Sequence, residues 1–137
     1  MSVVKSKRDE GELVVVTKAN ELAMYTIKIC SNETNFPKRY RWCITNKIVD
    51  AALEINNQII KANSVFVKDQ SDYELRKKYQ TEGLAATYSL LSMIDIGYRI
   101  FGIDSKRIKH WTGLVLDVQN LMRNWRKRDI ERYKNLG

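Results

Sequence analysis

The sequence predicts an all-α protein, an antiparallel up-down-up-down four-helix bundle. Three observations predict it. Apolar residues recur every three or four positions in four long segments, the signature of helices with one buried face. Three short breaks separate those segments, and short connections make consecutive helices antiparallel neighbours. The 137 residues include only six Gly and one Pro, and no alternating pattern suggests a strand. This length fits one domain, and 44% hydrophobic with 29% charged residues suffices for one core. Residues 1–10 are expected to form a flexible N-terminus and residues 11–134 the bundle.

The first helix is expected over Gly11 to Ser31, with Val15, Ala19, Leu22, Thr26 and Ile29 on its stripe. The break Asn32-Glu33-Thr34-Asn35-Phe36-Pro37 follows, rich in residues that favour caps and turns. The second helix is expected over Lys38 to Phe66, with Ile44, Ile48, Ala51, Ile55, Ile59, Ala62 and Phe66 as its stripe. Ser71 followed by Glu74 reads as a capping box that starts the third helix, Asp72 to Phe101. The latter half of that helix is apolar nearly all round, so it should be the most buried part of the fold. Gly83 to Ile103 is long enough to span a bilayer. Asp95 and Arg99 near its middle favour a buried helix over a membrane span. Gly102 suits a helix C-terminus and Asp104 or Ser105 the next N-cap. The fourth helix, Lys106 to Tyr133, carries Ile108, Trp111, Val115, Val118, Met122 and Trp125 on a 3.5-residue repeat. Gly83, Gly97 and Gly113 interrupt helices, and close helix–helix approach is the simplest reason.

The formal charge is +8, which favours polyanionic partners. Its distribution says more than its size. Residues 1–34 are neutral, residues 35–68 carry +4, residues 69–103 carry −1 and residues 104–137 carry +5. The surplus therefore lies on the second and fourth helices. In an up-down bundle these begin at the same end, which groups Lys38, Arg39 and Arg41 with Lys106, Arg107 and Lys109. A second cluster, Arg123, Arg126, Lys127 and Arg128, closes the fourth helix at the other end, where Arg76, Lys77 and Lys78 begin the third. Cations near a helix C-terminus complement its dipole, whereas those at the two helix starts oppose it at a cost of a few tenths of a kcal/mol each. A phosphate-rich partner would offset that cost.

Little points to catalysis. His110 is the only histidine, and no nucleophile or carboxylate is tied to it by a known spacing. Two Cys and one His exclude zinc-finger ligand sets, and one His excludes a dimetal centre built from paired Glu-x-x-His motifs. Asp50 and Glu54 lie four apart and could share a proton or a metal, or simply be solvated. Asp95 and Arg99 read as an intrahelical pair or as partners across a contact, and Asp117 is similar. There is no Gly-rich phosphate loop. Trp111 and Trp125 share one stripe and are expected in the core, since base stacking would need exposure. Cys30 and Cys43 are expected as reduced packing thiols, with a redox or bridging role as the alternative. The N-terminus lacks the apolar stretch of a secretory signal, so the cytoplasm is the expected compartment.

The hinge Asn35-Phe36-Pro37-Lys38-Arg39-Tyr40-Arg41 between two long amphipathic helices resembles a group of small bacterial and phage four-helix-bundle proteins. These are the accessory variability determinants of diversity-generating retroelements, with a related branch encoded in intervening sequences of large-subunit ribosomal RNA genes. Ala51-Ala52-Leu53, Ile59-Ile60-Lys61-Ala62-Asn63, Trp111 and the ending Leu121-Met122-Arg123-Asn124-Trp125 are similar to the same group. The basic, Trp-containing ending favours the retroelement branch. The Asn-x-x-Glu-Gly signature of the ribosomal branch is replaced here by Asn56-Asn57-Gln58-Ile59-Ile60. The resemblance implies a protein without enzymatic activity or cofactor that forms a barrel-like, ring-shaped homopentamer. It implies binding of RNA and DNA with little sequence preference and association with a reverse transcriptase, in the mutagenic retrohoming of a variable gene. Its binding residues would be Lys38, Arg39, Arg41, Lys106, Arg107, Lys109, Arg123, Arg126, Lys127 and Arg128. The alternative is a protein-interaction bundle of the intervening-sequence type, whose basic faces meet an acidic protein or a ribosomal partner.

Overall fold

The computed structural model describes the backbone of residues 3–136 and the side chains of residues 13–136. All regular structure among the described residues is helical. Helix α1 spans Val3–Cys30, α2 Asn46–Ser64, α3 Gln70–Phe101 and α4 Ser105–Arg132. The helix over α1 begins well before Gly11. The expected flexible segment, residues 1–10, lies outside the described side chains.

Each helix packs against two others: α1 touches α2 and α4, and α3 touches α2 and α4. The contacts run in opposed register. On α2 and α3, Ile48 faces Gly97, Gln58 faces Gly83 and Lys61 lies over the ring of Tyr79. On α3 and α4, Arg76 meets Asp129 and Thr87 meets Gln119. The core is the common interior, with Val15, Leu22, Ile48, Ile55, Ile59, Leu90, Ile94, Trp111, Val115, Val118, Met122 and Trp125 all shielded from solvent. The expected α1 stripe is buried throughout, and so is the α4 stripe from Trp111 onward. The Trp111 indole donates to Thr26 Oγ1 at 2.9 Å, so this fully buried ring is also hydrogen-bonded across α1 and α4.

Several local expectations are corrected. The chain from Lys38 does not enter an α-helix directly. It makes a 3₁₀ turn over Lys38–Tyr40 and a π-helical turn over Arg41–Thr45 before α2 begins. Asn32 explains the hinge before it: its carbonyl accepts from the amides of Asn35 and Phe36, and its side-chain oxygen accepts from the Thr34 amide at 2.9 Å. Phe36 is then buried against Phe101 and Trp111. At the far end α2 stops at Ser64, so Phe66 is exposed rather than part of the stripe. The N-cap of α3 is Asp69, whose carboxylate accepts from the Asp72 amide at 2.9 Å; Ser71 lies inside the helix. Gly102 closes α3 with φ of 62°, as expected of a left-handed cap.

The latter half of α3 is not the most buried segment. Its core positions Thr87, Leu90, Ile94 and Gly97 are covered, but Tyr88, Ile96, Tyr98 and Ile100 face solvent. Of the three internal glycines, two follow the close-approach reading. A Cβ on Gly83 would lie 2.8 Å from Met122 Cε and 3.2 Å from Gln58 Cβ, and one on Gly97 would lie 3.3 Å from Phe36 Cε1. Gly113 departs from it, because a Cβ there would meet only open space. No helix among the described residues is long and apolar enough to cross a membrane.

Candidate nucleic-acid interface

The ten candidate cations fall into two zones. In the first, the Asn32 turn and the 3₁₀ turn present Lys38, Arg39 and Arg41 to solvent. Arg107 Nη1 donates to Asn35 Oδ1 at 3.4 Å, which brings the first turn of α4 against that hinge. Lys106, Arg107 and Lys109 are all exposed there. Among the described residues only one carboxylate reaches a cation of this zone: Glu33 stands 4.0 Å from Arg41. Such an exposed pair at the limit of ion-pair distance contributes little and leaves most of the field intact. Arg39 is held over the ring of Tyr40 at 5.1 Å, and Tyr40 in turn packs on Phe101. Because α2 proper starts at Asn46, the dipole argument applies to Lys106 and Arg107, in the first turn of α4, and not to Lys38, Arg39 and Arg41.

The same zone contains Tyr25 and His110, whose rings meet edge to face with centroids 4.8 Å apart. Burial pushes the Tyr25 hydroxyl above its usual range, with Asp104 adding to the shift and the Arg107 charge opposing it. His110 is exposed and touches an aromatic ring rather than a nucleophile.

The second zone, on the last turns of α4, is less open. The two zones are separated along α4: Arg107 and Arg123 are about 24 Å apart by helical rise. Arg123 is half-buried, bonds Asn120 and the Tyr88 hydroxyl, and lies over the Tyr88 ring. Arg126 is half-buried, with its Nε inaccessible to solvent. Lys127 and Arg128 are exposed. Arg76 does not join them. Its guanidinium is buried, donating to Asp129 from Nε at 2.7 Å and Nη2 at 3.1 Å. Gln80 Nε2 donates to the same carboxylate at 2.8 Å, and Arg132 lies 3.5 Å from it. The Arg76 head is further flanked by the Trp125 and Tyr133 rings. This charge holds α3 to α4 and is not part of the basic surface.

Sequence reasoning passed over two residues. Asp129 is a fully buried carboxylate, four residues beyond Trp125 and so on the next position of the α4 core stripe. Trp42 is 83% exposed, between Arg41 and Cys43 in the π-helical turn. An aromatic residue set among arginines next to a turn was the available signal.

The remaining candidates do not assemble into chemistry. Asp50 and Glu54 are exposed on α2, and Glu54 Oε1 accepts from Gln58 at 2.6 Å. Asp95 and Arg99 form an exposed intrahelical pair at 3.0 Å. No group of three or more metal-ligating side chains is found among the described residues. Cys30 and Cys43 are both free, one buried and one exposed. Comparison with family models, curated proteins and solved structures returned no match.

Proposed function

We propose that this chain is a non-enzymatic accessory bundle that binds RNA and DNA with little sequence preference through the hinge end of the molecule. The observation that carries the reading is the Arg107–Asn35 hydrogen bond, which joins the first turn of α4, with exposed Lys106 and Arg107, to the hinge that carries exposed Lys38, Arg39 and Arg41, with Glu33 as the one carboxylate in ion-pair range among the described residues. Scattered cations would be solvated ions, whereas a shared zone raises the local potential and steers a phosphate backbone. The likeness of the Asn35–Arg41 hinge and of the Trp-containing α4 ending to accessory variability determinants extends the reading. In that extension the protein works in the cytoplasm beside a reverse transcriptase, in a bacterial or phage retroelement.

The same reading includes an up-down-up-down topology and self-association. The opposed register of α2 with α3 and of α3 with α4 supports the topology. Support for self-association comes from the outer groove of α1 and α2. Leu13, Thr17, Asn20, Met24 and Ile27 follow a second heptad seam on α1, on its solvent side. Leu53, Asn56 and Ile60 continue it on α2, and the Asn56 amide donates to Asn20 in the middle. No ionisable side chain lies in this seam. Copies that each carry +8 repel one another on balance, so a second copy is best seated along a stripe that carries no charge, as this seam does.

The test is the affinity for mixed-sequence RNA measured across a salt series, for the native chain and for Lys106→Glu with Arg107→Glu. If four phosphates are neutralised, a log–log slope of about −0.7 per contact gives roughly a 50-fold loss between 50 and 200 mM salt. Removing two contacts should reduce that loss to about 7-fold and weaken binding at every salt concentration. A flat salt response, or variants indistinguishable from the native chain, would sink the proposal and leave the protein-interaction reading.

A further inference from the structure

Trp42 sets this end of the molecule apart from an ordinary basic patch. The chain has three tryptophans. Trp111 and Trp125 are fully buried, whereas Trp42 leaves 83% of its surface in water. An indole left in solvent forgoes about 2 kcal/mol of burial, a cost that a partner can recover. Its placement is not an accident of a loose loop. Tyr40 packs on Phe101 with centroids 5.1 Å apart, Phe101 packs on Phe36 at 5.5 Å, and Phe36 is buried on Trp111. This aromatic chain anchors the 3₁₀ turn inward. The π-helical turn that follows, an arrangement common at functional sites, leaves Trp42 outward. Lys38, Arg39 and Arg41 precede it within four residues and are exposed, and the exposed Arg107 donates to Asn35 of the same hinge.

We propose that Trp42 is a base-stacking platform and that the preferred ligand of this zone is single-stranded nucleic acid. The proposal rests on the nucleic-acid reading above and sharpens it. Every base has a π face, so an exposed ring beside cations grips unpaired strands without reading their sequence. A duplex offers the zone only its phosphates. An anionic bilayer also attracts exposed Trp beside cations, but here the flanking residues Arg41 and Cys43 are not large apolar groups that could follow the indole into lipid.

The buried state of the other two indoles makes the test direct, because the red-shifted, iodide-quenchable emission of the folded chain reports on Trp42. The probes are an oligothymidylate, a mixed-sequence duplex of equal length, and phosphatidylserine-containing vesicles. The oligothymidylate is expected to quench that emission and to bind more tightly than the duplex. Trp42→Ala should weaken its binding about 5- to 150-fold while leaving duplex affinity and helical circular dichroism unchanged. Trp42→Phe should restore part of the loss. Salt-dependent binding of both nucleic acids with equal affinity, unaltered in Trp42→Ala, would overturn the stacking platform and leave the basic interface standing. Absence of binding to either would overturn both. A blue shift with vesicles alone would reassign Trp42 to a membrane surface, and one on raising protein concentration alone would reassign it to self-contact; either overturns the proposal.

Discussion

Replacing Asp129 by Ala removes the carboxylate that the buried Arg76 and Gln80 share. Arg76 has only 5% of its side chain exposed and loses the acceptor it holds at 2.7 and 3.1 Å. Gln80 loses its 2.8 Å acceptor while itself buried. Removing one partner of a buried ion pair costs about 3–5 kcal/mol, because the remaining charge stays desolvated. The Gln80 amide left without its acceptor adds about 1–3 kcal/mol, in part counted already, so about 4 kcal/mol is expected in all. With a urea dependence of about 2 kcal/mol per molar, that loss lowers the unfolding midpoint by roughly 2 M. The assay is urea denaturation followed by helical circular dichroism at one fixed chain concentration, which removes any contribution from association. A companion variant, Asp129→Leu with Arg76→Leu and Gln80→Leu, removes the two buried donors together with the acceptor, leaves only the quarter-exposed Arg132, and should recover most of the stability. A single substitution costing under about 1 kcal/mol would refute the reasoning. So would a triple variant no more stable than the single one, since the penalty would then not come from stranded donors.

Other consequences follow from the same contacts. Gly113→Ala should raise stability by about 1 kcal/mol, because the position is helical and open. Gly83→Ala should not, because its Cβ meets Met122 and Gln58; equal melting temperatures for the two variants would contradict this packing. Cys43 should react rapidly with a thiol reagent and Cys30 slowly, since Cys30 is buried and burial pushes its thiol up to about 12. The neutral Cys30 thiol favours the folded state below its ordinary value near 9, and that contribution is lost as pH rises from about 9 towards about 12. Alkaline titration of unfolding for Cys30→Ala should therefore show a weaker decline than the native chain over that window. For the proposed self-association, Met24→Lys places a charge in the uncharged outer seam, so sedimentation should report a lower mass than for the native chain with unchanged helix content; equal masses would refute self-association through this seam.

Helix identity was legible because burial imposes a period on the sequence. Val15, Ala19, Leu22, Thr26 and Ile29 on α1 and Trp111 to Trp125 on α4 repeat at three and four residues, and all are buried. What was missed followed from reading only apolar residues as core. The α3 face that is actually buried runs Tyr73, Arg76, Gln80, Gly83, Thr87, Leu90, Ile94, Gly97, an unbroken heptad spacing in which five of the eight members are polar or Gly. Arg76 reads in sequence as surface charge beside Lys77 and Lys78, yet its position is interior, and Asp129 completes the α4 stripe beside it. Ser71 lost the N-cap to Asp69, two residues earlier, because either side chain can serve and only the path of the preceding chain selects one.

The candidate interface divides in the same way. Composition and spacing by themselves determined four helices, three breaks, a charge surplus on residues 35–68 and 104–137, and tryptophans at 111 and 125 committed to the core. Those properties depend on period and local propensity, which a linear chain carries. Only the tertiary structure decided that Arg107 reaches Asn35, that Arg76 is consumed by Asp129, and that Trp42 faces water while Tyr40 is tied down by Phe101. Whether a cation or an indole is available to a ligand depends on which side chains other helices bring to it, and that is a property of packing between segments distant in sequence.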